Sequence, residues 1–209
     1  MSLRTIIFCL AAWLGGLQPS AAQTKLSKVL VNPQMIDSFS FATKWDYSWE
    51  VFKDDHTGKF TRNDDQPVMP ADTVHLFFTA NCTTNVQGGY GIRYCFAEKR
   101  KDDLLLSFSD GLPAYASVFY SYVKGDSFYF RPGTVYPVFI RGQQMTYVIT
   151  KQVLTLNKAH YELGDDMMGY VDVEFVETVS VPNKEPQHHT FYLRGYFRTK
   201  LKPEEVNDR

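Results

Sequence analysis

Residues 153–178, VLTLNKAHYELGDDMMGYVDVEFVET, carry the clearest strand, turn and strand pattern in the chain. In the first arm Leu154 and Leu156 share one face. Past the turn signal Gly164-Asp165-Asp166, Met167, Val171, Val173 and Phe175 fall on one face and Tyr170, Asp172 and Glu174 on the other. Successive side chains of a strand point to opposite sides, so this period of two predicts a strand with one face buried and the other wet. Its partner is expected in residues 190–199, where Phe191, Leu193 and Phe197 alternate with Tyr192, Arg194, Tyr196 and Arg198. The rest of the chain repeats this logic, and no stretch holds a helical period between two caps, so the fold class is expected to be all-β.

Residues 1–22 stand apart. Arg4 is followed by an apolar run from Ile6 to Leu14 and then by Ser20-Ala21-Ala22, the charged, apolar and small-residue order of a secretory signal peptide. The run is shorter than the roughly 20 apolar residues that span a bilayer, so a membrane anchor is the weaker reading. Cys9 follows Ile7-Phe8 rather than the small residues that precede a lipid-modified cysteine. The expectation is an exported chain, periplasmic or extracellular, whose mature part starts near Gln23. Residues 23–209 are then a single all-β domain, with a subdivision allowed near residues 142–152.

The full chain has 22 Lys and Arg against 23 Asp and Glu. Losing Arg4, the leader's one charged residue, leaves a balance of −2. A chain with that charge has no electrostatic reason to seek nucleic acid or an anionic membrane. No transmembrane segment is expected in the mature part.

Two cysteines remain once Cys9 is removed, Cys82 and Cys95, in a chain bound for an oxidising compartment. They flank a hairpin signal: residues 74–80 and 90–97 are strand-like, and Gly88-Gly89 lies midway between the cysteines. Antiparallel pairing about that turn sets Cys82 opposite Cys95 and predicts a disulfide worth about 3 kcal/mol. A redox-active pair is the weaker reading, because such pairs usually have the C-x-x-C spacing.

Further along, residues 24–38 are expected to form an extended arm or edge strand. Residues 39–51 put Phe39, Phe41, Trp45, Tyr47, Trp49 and Val51 on alternate positions, which predicts a long strand with an aromatic, buried face. Residues 54–72 read as a polar loop whose acidic residues lack the spacing of a calcium site. Residues 98–103 are a charged turn before the short strand 104–109. Residues 114–130 are a hairpin turning at Lys124-Gly125-Asp126, and 135–140 and 145–151 are further strands.

Tyr161, Gly164, Asp165, Gly169, Val171 and Val173 resemble a pattern of immunoglobulin-like sandwich modules, in which Tyr-x-x-Gly-Asp closes one strand and Gly-x-Val-x-Val opens the next. The resemblance spans residues 154–175 and implies an antiparallel β-sandwich. Trp45 in an early strand is similar to the opening of lipocalin-like barrels, with Thr43 standing where that family has glycine. It implies, as the alternative, a β-barrel carrying a small apolar ligand.

Candidate chemistry is sparse. Asp172 and Glu174 sit two apart on a wet face, where paired carboxylates could serve a glycoside hydrolase. The simpler reading is a cross-strand charge ladder with Arg194 or Arg198. His188 and His189 are adjacent, with Glu185 nearby, but strand neighbours point apart and no third ligand is evident, so no metal is expected. No nucleophile elbow or phosphate loop is present, and no cofactor is implied. Asn81-Cys82-Thr83 has the form of a glycosylation sequon. The compositional excess is aromatic: 13 Tyr, 16 Phe and 3 Trp. Tyr170, Tyr192 and Tyr196 fall on the wet face together with Arg194. These four are the candidate ligand-binding residues of a non-catalytic module that takes a glycan or a protein partner.

Overall fold

The computed structural model describes residues 26–35, 39–44, 51–54, 56–62, 64–74, 77–86, 91–111, 117–133 and 141–204. The leader, Trp45, Tyr47, Trp49, the Gly88-Gly89 turn and the 135–140 strand lie outside them.

The longest strands are those with the cleanest alternation. β10 (Gln144–Leu156), β11 (Asp166–Ser180) and β12 (Gln187–Pro203) form an antiparallel meander. As the period of two requires, Leu154, Leu156, Met167, Val171, Val173, Phe175, Leu193 and Phe197 are all buried on the same side. β10 runs through residues 144–156 with one register shift between Ile149 and Lys151.

The remaining strands are β1 (Ser27–Lys28), β2 (Leu30–Val31), β3 (Val51–Lys53), β4 (Phe60–Arg62), β5 (Ala80–Thr84), β6 (Tyr94–Lys99), β7 (Leu104–Ser109), β8 (Val118–Lys124) and β9 (Ser127–Pro132). One ten-stranded sheet runs β1-β9-β8-β7-β6-β12-β11-β10-β2, with β5 added beside β12; β3 and β4 pair separately. The N-terminal arm draws the two ends of this order together. β1 pairs with β9 and β2, two residues later, pairs with β10, so the sheet curls until it is nearly closed. Gln152 pins the seam: its Oε1 accepts the Phe130 N–H at 3.1 Å and its Nε2 donates to Ser27 Oγ at 2.9 Å.

The chain is all-β in the main, as expected, but the sheet is mixed rather than purely antiparallel. β2 runs parallel to β10, and β6 runs parallel to β12. Both parallel pairings join segments far apart in sequence, which no hairpin signal announces.

The concave side is filled by rings. Phe108 lies edge-on to Phe197 at 5.3 Å, and Phe130 and Phe119 pack on Phe175 at 5.9 and 6.3 Å. Removal of each such ring from water stabilises the fold by about 1.5–3 kcal/mol. Gly169 faces Phe197 across the ladder, and the ring occupies the space where a Cβ would stand.

Three local expectations are corrected. Residues 39–43 are not part of a long strand: Ser40–Thr43 is a 3-10 helix, which buries Phe39 and Phe41 against each other at 5.4 Å. Two rings two residues apart share a face in a strand, yet a tight turn brings them together equally well. The polar stretch 54–72 contains β4 and the start of a short helix, α1 (Pro70–Val74), where Asp72 accepts the Met69 N–H at 2.7 Å and Arg62 bridges Asp64 and Asp72 at 2.8 and 3.1 Å.

The third correction concerns the cysteines. Cys82 and Cys95 are buried, free thiols, and the expected disulfide is not formed. Cys82 stands opposite Ile92, three residues out of the expected register, while the Cys95 N–H is taken by Thr79 Oγ1 at 2.7 Å. The reason is β12. β5 pairs along it from Leu193↔Thr84 to Phe197↔Ala80, and that ladder sets the register of β5 independently of the glycine turn. Burial pushes the Cys82 thiol up to about 12 and Cys95 well above its ordinary value.

Candidate functional site

The outward faces of β10, β11, β12 and β5 form one continuous platform, and every rung of it is set by register. Thr155, Tyr170, Tyr196 and Asn81 make one row across the four strands, and Val153, Asp172, Arg194 and Thr83 make the next. Glu174 and Tyr192 are paired in the row beyond. All four candidate binding residues therefore share one surface. Tyr196 is 50 % exposed, Arg194 is exposed, and Tyr170 and Tyr192 are half-buried.

The rings and charges are held in place. Tyr170 and Tyr196 lie 4.8 Å apart between centroids, and Phe39 meets Tyr196 edge-on at 6.1 Å. The Arg194 guanidinium lies over the Tyr192 ring at 5.8 Å. Its Nε donates to Asp172 Oδ1 at 2.9 Å and its Nη2 to Glu174 Oε1 at 3.1 Å, while Lys151 Nζ donates to Asp172 Oδ2 at 2.7 Å. The expected charge ladder is formed, through Arg194; Arg198 reaches Asp166 instead, at 3.7 Å.

This wiring bears on whether Asp172 can act as a general acid. Burial alone would raise the Asp172 carboxyl, but the hydrogen bonds from Lys151 and Arg194 outweigh it and hold the group below the usual carboxylate range. A general acid of glycoside hydrolysis needs the opposite shift. Asp172 is thus a fixed anion that orients Arg194. Burial, and then the Asp172 charge, push the Tyr170 phenol up, which keeps its hydroxyl protonated as a donor.

The edge of the platform is pinned by Asn85, whose Nδ2 donates to Thr190 O at 3.0 Å and whose Oδ1 accepts the Tyr192 N–H at 3.0 Å. Sequence reasoning missed Lys151, Asn81 and Thr83, because their places follow from pairing partners distant in the chain. Phe39 was assigned to a core strand, and its packing on Tyr196 had no sequence signal. The adjacent histidines separate as strand neighbours do: His188 Nδ1 lies 2.9 Å from Thr178 Oγ1, and His189 stacks on Phe191 at 6.0 Å. Among the described residues no group of three His, Cys, Asp or Glu could hold a metal ion, and no helix is long and apolar enough to cross a membrane.

Compared with protein-family models, with curated proteins and with solved structures, the chain matches none.

Proposed function

We propose that this is an exported, non-catalytic binding module that holds a glycan or a protein partner on the platform of β10, β11, β12 and β5. The observation that carries the reading is the fixed, half-exposed Tyr196 beside Tyr170, one row from an exposed Arg194 whose geometry is set by two carboxylates. Amphipathic rings next to an oriented guanidinium offer stacking area and charged donors at small entropic cost, the combination that suits sugar faces and protein hot spots. Export rests on the leader-like residues 1–22.

For the sheet itself we favour a barrel over an immunoglobulin-like sandwich. The pairing of β1 with β9 and of β2 with β10 supports it, since a sandwich leaves two separate sheets with free edges. A carrier holding its ligand in the middle of such a barrel is the second reading. Against it stand Phe108, Phe119, Phe128 and Phe175, which fill the concave side.

The test is a glycan array and a partner-binding assay run with the chain and with Tyr196→Ala. Binding that vanishes in the variant while the melting temperature falls by only about 2–4 °C supports the platform; a hit that the variant retains in full moves the site elsewhere.

A further inference from the structure

We propose that a pocket at one end of the curled sheet binds a small amphiphile, at a site separate from the Tyr and Arg platform. The pocket encloses about 490 Å3, within the range of roughly 300–1,000 Å3 typical of small-molecule sites. Its floor is apolar and built by four elements: Val29 between β1 and β2, Val123 of β8, Leu156 of β10 and Tyr161 of the β10–β11 connection, all buried. The Tyr161 hydroxyl is already engaged, donating to Asn157 Oδ1 at 2.6 Å and accepting the Lys158 N–H at 3.1 Å, so this residue adds apolar surface to the floor and leaves little unmet polarity there.

The lip is two-sided. On one side Val31 is 46 % exposed. On the other, the end of β6 brings Lys99 and the β6–β7 turn brings Lys101 and Asp102, whose side chains have no ion-pair or hydrogen-bond partner among the described residues. Arg100 of the same turn is committed to Glu204 at 3.1 Å. An apolar floor, one apolar wall and a lip bearing two ammonium groups and a carboxylate suit a molecule with an apolar body and one hydrogen-bonding head. A purely polar ligand would leave the floor uncovered, and a purely apolar one would desolvate the turn without compensation.

The site is tested by calorimetric titration of the chain with decanoate below its aggregation concentration. The expected result is one saturable site per chain. Ala159→Trp, an exposed wall position of the pocket, should weaken it about tenfold or more, a loss of about 1.4 kcal/mol. Val148→Trp, exposed on β10 and outside the lining, should leave it unchanged, as should Tyr192→Ala, so failure here is distinct from failure of the platform. If Ala159→Trp lowers the melting temperature, the exposed Lys101→Ala decides: a several-fold loss supports the pocket, unchanged affinity overturns it. Absence of saturable binding, or binding that survives Ala159→Trp, also overturns it.

Discussion

Tyr196 and Tyr170 stand directly opposite each other on β12 and β11, with ring centroids 4.8 Å apart and planes inclined by 53°. Tyr170 is half-buried and Tyr196 is half-exposed, so one ring supports while the other is offered to solvent. Tyr196→Ala should therefore cost about 1 kcal/mol of stability, the worth of an aromatic pair with little burial behind it, while abolishing partner binding. Denaturant unfolding gives the first quantity and the binding assay the second. A loss of several kcal/mol would make Tyr196 a structural residue.

The Asp172 cluster predicts a pH dependence. Its carboxyl is held low in the folded state, so its stabilisation is fully present above the unfolded value of about 3.9 and fades as pH falls through the lower folded value. Asp172→Asn should destabilise by about 1 kcal/mol at neutral pH, since it strips partners from both Arg194 and Lys151. The difference should shrink in acid below about pH 4. Urea titrations of both proteins from pH 2 to 7 would show it; a gap constant with pH would mean the carboxylate charge is not what matters.

Cys82 and Cys95 should behave as inert thiols. Burial raises both, Cys82 to about 12, and the thiolate is the reactive form. In a Cys9→Ser chain, a chromogenic thiol reagent should find neither in the native state and both after denaturation without reductant. No reaction in denaturant would show that the pair had joined as a disulfide and that the register here is wrong.

Gly195 has φ of +153°, and a Cβ there would overlap the Asn81 carbonyl oxygen and the Cys82 Cα. This close approach lets β5 lie against β12. Gly195→Ala should lower stability by about 1–3 kcal/mol through backbone strain alone, with more from the displacement of β5. Thermal unfolding checks the size, and protection of the Ala80–Thr84 amides from exchange shows whether the loss is local.

Strand faces are a local property of sequence, and here the sequence alone determined them. The alternation around Val171 and Leu193 depends on neighbours two residues away, so the buried row, the outward Tyr and Arg row and the pairing of β11 with β12 were all legible, as was the Lys124-Gly125-Asp126 hairpin. The charge ladder followed from the same register. What only the tertiary structure decided depends on partners distant in the chain. β12 rather than the glycine turn sets the register of Cys82; the N-terminal arm draws β9 and β10 together; and the turn at Phe39 and Phe41 lays an aromatic edge on Tyr196. In each case a hydrogen-bonded ladder or buried packing formed across a long loop outweighs the local preference, and that energy is not written in any short stretch of residues.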